Sequence, residues 1–184
     1  SNLLIETDEP DDRKQFINII NSNNDLLLQL INDIIDLSKI ESGSISYRYS
    51  SFDVNEIIDS LVTTMTPRVQ SGVQLVKEYP LAKCVITSEK NRLEQVLINL
   101  ISNAIKYTSH GSITIGYKLK VNDIMFYVND TGKGINPENV NHVFERFSKF
   151  DPFVQGTGLG LFICKTIVDT LNGLIGVKSV LGKV

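Results

Sequence analysis

The sequence predicts an α+β fold: a two-layer sandwich of helices on a mixed, mainly antiparallel sheet, preceded by a helical-hairpin dimerisation segment. Three observations carry this. Between residues 10 and 43, apolar residues recur at spacings of three and four, the signature of a long helix. Beyond residue 44, short alternating runs and amphipathic helical runs are interleaved. Two of the alternating runs are joined by a short polar turn, which makes a hairpin and therefore antiparallel pairing.

Taken in order, Leu3, Leu4 and Ile5 read as the tail of one helix. Asp8-Glu9-Pro10-Asp11-Asp12 is a turn that also opens the next, because acidic residues suit a helix N-terminus and proline suits its first turn. Phe16, Ile20, Leu27, Leu30, Ile34 and Leu37 then form a heptad seam, with Asn23 in its one polar slot. Ile17, Leu28, Ile31 and Ile35 widen the stripe beyond what two strands of a coiled coil need, so a hairpin that dimerises into a four-helix bundle is expected. Asn23 either fixes register in that bundle or sits at its wet edge. Gly43 ends the helix.

Ile45, Tyr47 and Tyr49 alternate like a short strand. Asp53 and Glu56 have the spacing of a capping box before an amphipathic helix that carries Val54, Ile57, Ile58, Leu61, Val62 and Met65. Strands are expected at Val73 to Lys77 and at Val85-Ile86, then a strong helix over 89–107. Ile113 to Leu119 and Ile124 to Val128 form the hairpin, turning at Val121-Asn122-Asp123. A glycine-rich irregular stretch follows from 131 to 158, then a helix near 159–171 and a closing strand at 174–180. These boundaries divide the chain into residues 1–43 and 44–184.

Bulk properties narrow the function classes. A formal net charge of -3 lacks the basic surplus of a nucleic-acid binder. No apolar run reaches the roughly 18 residues that span a bilayer. Cys84 and Cys164 are far apart, fit no metal-ligand spacing, and are expected as reduced core residues of a reducing compartment. Both ends look cut, so the chain reads as a piece of a longer protein.

Three polar motifs carry chemistry. On the helix 89–107, Asn99 and Asn103 lie four apart and share a face, with Lys106 nearly on it. Neutral oxygen ligands suit magnesium and the lysine suits phosphate, although the helix alone fits a solvated polar face equally well. Asp130-Thr131-Gly132-Lys133-Gly134 follows an apolar strand. Its aspartate can accept a hydrogen bond from an exocyclic amine such as adenine's, and its glycines let backbone approach a flat ring. By itself Asp-x-Gly is also an ordinary turn. Gln155-Gly156-Thr157-Gly158-Leu159-Gly160-Leu161 leads into a helix, so exposed N–H groups and a helix N-terminus together favour an anion. The glycine spacing is neither the dinucleotide fingerprint nor a P-loop, and protein-kinase signatures are absent.

In order and company these motifs resemble the catalytic, ATP-binding domain of sensor histidine kinases, within the superfamily of DNA gyrase B, heat-shock chaperone and mismatch-repair ATPases (GHKL, or Bergerat fold). Asn99 to Lys106 matches its N box, Asp130 to Gly134 its G1 box, and Gly156 to Gly160 its G2 box. Phe144-Glu145-Arg146-Phe147 matches the F box of the kinases, and Asp36 to Gly43 resembles the end of their dimerisation hairpin. The resemblance implies ATP and Mg2+ as cofactors. Asn103 would hold the metal, with Asn99 beside it; Lys106 and Tyr107 would approach the phosphates. Asp130 would read adenine, with Gly132, Gly134 and Ile135 lining the ring. Gly156, Thr157, Gly158, Leu159, Gly160 and Leu161 would wrap the triphosphate. Residues 135 to about 155 would form a lid, Lys149 would lie near the terminal phosphate, and Arg146 would anchor the lid or touch the other domain. The implied partners are a second copy through the hairpin and a response-regulator receiver domain, in the cytoplasm. The family also needs a phosphoacceptor histidine with an acidic neighbour on the first hairpin helix. Neither His110 nor His142 has those neighbours, so that box is expected ahead of Ser1. An ATPase of the same superfamily, or a pseudokinase, are the competing readings.

Overall fold

The computed structural model describes residues 10–43, 47–151 and 156–182; the expected helical tail at 1–5 and the strand start at Ile45 lie outside them. Helix α1 spans Pro10–Glu41. Proline stands in the first turn, where its missing N–H has no intrahelical partner to lose. Gly43 closes the helix at φ 62°, its N–H reaching the Ile40 carbonyl at 3.1 Å. Asn23 turns its Nδ2 back onto the Ile19 carbonyl of the same helix, 2.9 Å away. The apolar stripe of Ile17, Ile20, Leu27, Ile31 and Ile34 is left 36–54% exposed in the single chain.

Strand β1 spans Tyr49–Asp53 and leads directly into helix α2, Val54–Met65. The strand therefore lies later than the Ile45–Tyr49 alternation suggested, because its position is set by its ladder. The partner, β3 at Val85–Glu89, pairs antiparallel with it from Tyr49↔Glu89 to Asp53↔Val85. Asp53 caps α2 without help: its Oδ1 accepts from the amides of Asn55 (3.0 Å) and Cys84 (3.1 Å). Glu56 is exposed and returns no bond among the described residues, so the reciprocal half of the capping box is not formed there.

Strand β2, Val73–Glu78, lies in a second sheet with β4, Gly111–Leu119, and β5, Ile124–Asp130. The β4–β5 hairpin is antiparallel as expected, closed by Lys120 N–H on the Asp123 carbonyl at 2.8 Å. The β2–β4 pair is parallel, which requires the long crossover that β3 and helix α3, Lys90–Tyr107, provide. Helix α4 follows at Gly160–Thr170. Residues 174–180 do not form the expected strand. Their burial alternates with period two, but they join no ladder among the described residues. Their tail is held instead by the loop after β5, through Gly182 N–H on the Lys133 carbonyl.

Helix α3 is shared between two cores. Leu97 and Ile101 face Val54, Ile57, Ile58 and Leu61 of α2 and Ile115 and Tyr117 of β4. Val96 and Leu100, one step around the helix, face Leu159, Ile163, Cys164 and Ile167. Each fully buried aliphatic side chain here contributes about 1.5–3 kcal/mol. Both cysteines are free and buried, as expected. Burial pushes the Cys164 thiol up to about 12. Cys164 is therefore expected to resist iodoacetamide at pH 8 until the protein is unfolded, a difference readable by mass spectrometry of native and denatured samples.

Candidate functional site

The polar face of α3 collects all three motifs. Glu89 caps this helix, its Oε2 accepting from the Arg92 amide at 2.7 Å, and the two cores orient its remaining face outward. On that face Asn103 Nδ2 donates to Asn99 Oδ1 at 3.3 Å. The pair is thus mutually oriented, and the Asn103 carbonyl oxygen is left for another partner.

The glycine arc lies along the same face. A methyl on Gly160 would sit 2.6 Å from the Asn99 amide, and one on Gly156 would sit 3.5 Å from Lys106 Nζ. Gly158 has φ +75° and packs on the backbone of Phe147, which is itself left-handed at φ 60°. Thr157 Oγ1 accepts from the Leu159 amide at 3.2 Å. The Leu159 side chain is fully buried in the α3–α4 core and packs with Ile163, four residues along. Leu161 and Gly160 open α4.

The aspartate motif meets the C-terminal end of α3. Asp130 Oδ1 accepts from the Gly132 amide at 2.9 Å, while Oδ2 has no protein partner among the described residues. A methyl on Gly132 would lie 2.4 Å from the Tyr107 carbonyl oxygen, so only glycine allows this approach. Lys133 sits over the Tyr107 ring, 5.2 Å from its centroid, and pairs with Asp151. Gly134 and Ile135 have other neighbours: Gly134, at φ +74°, packs on the Val180 carbonyl, and the Ile135 amide donates to Ser179 Oγ at 2.8 Å. Arg146 lies over the Phe162 ring at 4.6 Å, which ties the segment between β5 and α4 to α4.

Electrostatics favour an anion between these walls. Burial lowers the Lys106 ammonium from its ordinary value, and the like charge of Lys149 lowers it further, while Asp33 opposes both. The cost of burying the Lys106 ammonium is what an incoming phosphate would relieve. Beside them a cleft of about 310 Å³ is lined by Lys106, Tyr107, Thr108, Thr131, Gly132 and Lys133, among others. Thr108 is 1% exposed and its hydroxyl has no hydrogen-bond partner among the described residues, an orphaned polar group at the edge of this cleft. A polyphosphate nucleotide fits this donor set.

Sequence reasoning missed the contribution of α1. Asp33, 8% exposed, accepts from the Thr157 hydroxyl at 2.6 Å, and Asp36 takes both Arg92 (3.1 Å) and Gln95 (2.7 Å) of α3. The available signal was two aspartates three apart on the flank of an apolar helix.

Comparison with known proteins gives the family. Residues 88–184 match the profile of the histidine kinase-, DNA gyrase B- and HSP90-like ATPases, and residues 1–43 that of the His Kinase A (phospho-acceptor) domain. The chain belongs to the sensor histidine kinases. Among its relatives are hybrid signal transduction histidine kinase B of Dictyostelium discoideum, 35% identical over 99% of the chain, and sensor protein SrrB of Staphylococcus aureus, 35% identical over 95%. The chain spans 10% of the length of the first and 31% of the second. Full-length ShkA in complex with AMPPNP superposes with a TM-score of 0.80 at 27% identity, over 98% of this chain and 39% of that one. Histidine kinase AdeS of Acinetobacter baumannii gives 0.74 at 26%, over 96% and 81%. No helix among the described residues is long and apolar enough to cross a membrane.

Proposed function

We propose that this site binds ATP with magnesium and directs the γ-phosphoryl group to a histidine outside α1, from which it passes to a response-regulator aspartate. The observation that carries the reading is the convergence on one helix: Gly160 against Asn99, Gly156 near Lys106, Gly132 against Tyr107. Phosphoryl transfer is mostly positioning and charge neutralisation, and each part has a residue here. Asp130, with Oδ2 free, accepts from the adenine amine while Gly132 clears room for the ring. Lys106 and Lys149 take phosphate oxygens. The arc from Gly156 to Gly160, with Thr157 and Leu161, offers main-chain N–H groups at the start of α4. Asn103 would hold magnesium, which when bound neutralises phosphate charge. Tyr107, whose hydroxyl is lifted above its ordinary value chiefly by burial, stays neutral and closes the side of the pocket.

In this reading residues 1–43 are part of the dimerisation and phosphotransfer hairpin, and residues 44–184 are the catalytic unit. The exposed stripe of α1 supports a homodimer, since a stripe this wide on a long helix calls for apolar cover from other helices. The receiver domain of a response regulator is the downstream partner, and the cytoplasm is the compartment. Calorimetry with ATP and magnesium tests the pocket. Asp130→Asn is expected to weaken binding by about 1–3 kcal/mol, the scale of a hydrogen bond to a charged group. Unchanged affinity in that variant would place adenine elsewhere.

A further inference from the structure

The contact between α1 and the glycine arc joins two parts of the chain that the proposed reaction treats separately. Asp33 and Asp36 lie three residues apart on one edge of α1. Asp33 reaches Thr157, the central side chain of the arc, and feels Lys106 as its compensating positive charge. Asp36 is gripped by Arg92 and Gln95, two turns before Asn99 and Asn103 on α3. The groups that face Asp33 are Thr157 from the arc, Lys106 from α3, Asp36 from its own helix and the buried Cys164 of α4. Lys106 is therefore the one cation among them, and the proposed pocket asks the same cation to hold phosphate.

The structure assigns to Asp33 the role of an antagonist of the nucleotide site: α1 docked through Asp33 and nucleotide phosphates compete for Lys106 and for the Thr157 hydroxyl, so each weakens the other. This rests on the nucleotide reading above. Three physical points support it. A carboxylate this enclosed repels a polyphosphate placed at the neighbouring arc, with little solvent to screen the two. Phosphate drawing Lys106 away removes the charge that stabilises Asp33 in its docked place. Burial lifts the Asp33 carboxyl above its ordinary value, so its ionised form is held at a cost that undocking returns. Coupling of this kind is reciprocal: whatever factor α1 docking removes from ATP affinity, ATP removes from α1 docking. Both states can be occupied together, with the ratio between them shifted.

The experiment measures ATP–magnesium affinity by calorimetry on the whole chain, together with amide hydrogen exchange over residues 26–40 with and without nucleotide. Asp33→Asn keeps shape and can still accept from Thr157, but removes the charge. It is expected to tighten ATP binding by about five-fold or more, the low end of measured couplings. ATP is expected to speed exchange over 26–40 in the parent chain and to do so less in the variant. Arg92→Ala, which loosens docking from the α3 side, is expected to tighten binding in the same direction, and it decides the matter if Asp33→Asn does not fold. If the parent binds ATP and both the affinity of the variants and the exchange of α1 stay unmoved, the antagonism is overturned while the nucleotide site stands. If neither parent nor variants bind ATP, the nucleotide reading falls and takes the antagonism with it. Binding by Asp33→Asn alone would support both.

Discussion

Ile101→Ala is expected to lower stability by about 2–5 kcal/mol, the range for truncating a buried isoleucine to alanine. Ile101 is fully buried and stands in the cluster that joins α3 to α2 and β4. Its neighbours Ile57, Ile58, Leu97, Ile115 and Tyr117 belong to three different elements, each anchored by its own ladder or cap, so the cavity cannot close by moving one of them. Denaturant unfolding of parent and variant gives the difference directly, provided the slopes agree. A loss below about 1 kcal/mol would mean that the two layers collapse onto each other more freely than their packing implies.

Gly132→Ala should lower both stability and ligand binding. Its methyl would lie 2.4 Å from the Tyr107 carbonyl oxygen and 2.8 Å from Asp130 Oδ1, and one of these neighbours is main chain and cannot rotate away. Relief requires the loop to leave α3, which breaks the Lys133 amide bond to the Tyr107 carbonyl. Over-packing of this kind costs about 1–3 kcal/mol. Because Asp130 moves with the loop, ATP affinity is expected to fall by roughly ten-fold or more, since about 1.4 kcal/mol corresponds to ten-fold. Gly176→Ala is the control: nothing lies within 4 Å of its added carbon, so affinity and stability should stay near the parent values. Equal behaviour of the two variants in calorimetry would separate the aspartate motif from the pocket.

Local signals proved the most legible. Pro10 and Gly43 bound α1, Asp53 marks the start of α2, and the four-residue spacing of Asn99 and Asn103 does put them on one face, because each depends on neighbours a turn or less away. Long-range pairings were not legible. Thr157 and Asp33 are 124 residues apart, and no local pattern links a hydroxyl in a glycine arc to an aspartate on a distant helix. The parallel register of β2 on β4 was hidden for the same reason: alternation identifies a strand but says nothing of its partner's direction. Residues 174–180 make the point from the other side. Their period-two burial is real, yet a strand is defined by a ladder, and that depends on what lies beside it.

The double duty of α3 bears on how the pocket moves. One wall of the pocket is welded to two separate hydrophobic clusters, while the loop after β5 is fastened to that wall through polar contacts such as the Lys133 amide on the Tyr107 carbonyl. Opening free energies should be ranked accordingly, near the global value along the helix and far smaller in the loops. A ligand then arrives at a fixed floor and gathers flexible sides around itself, so its release is governed by the loops rather than by the fold beneath them.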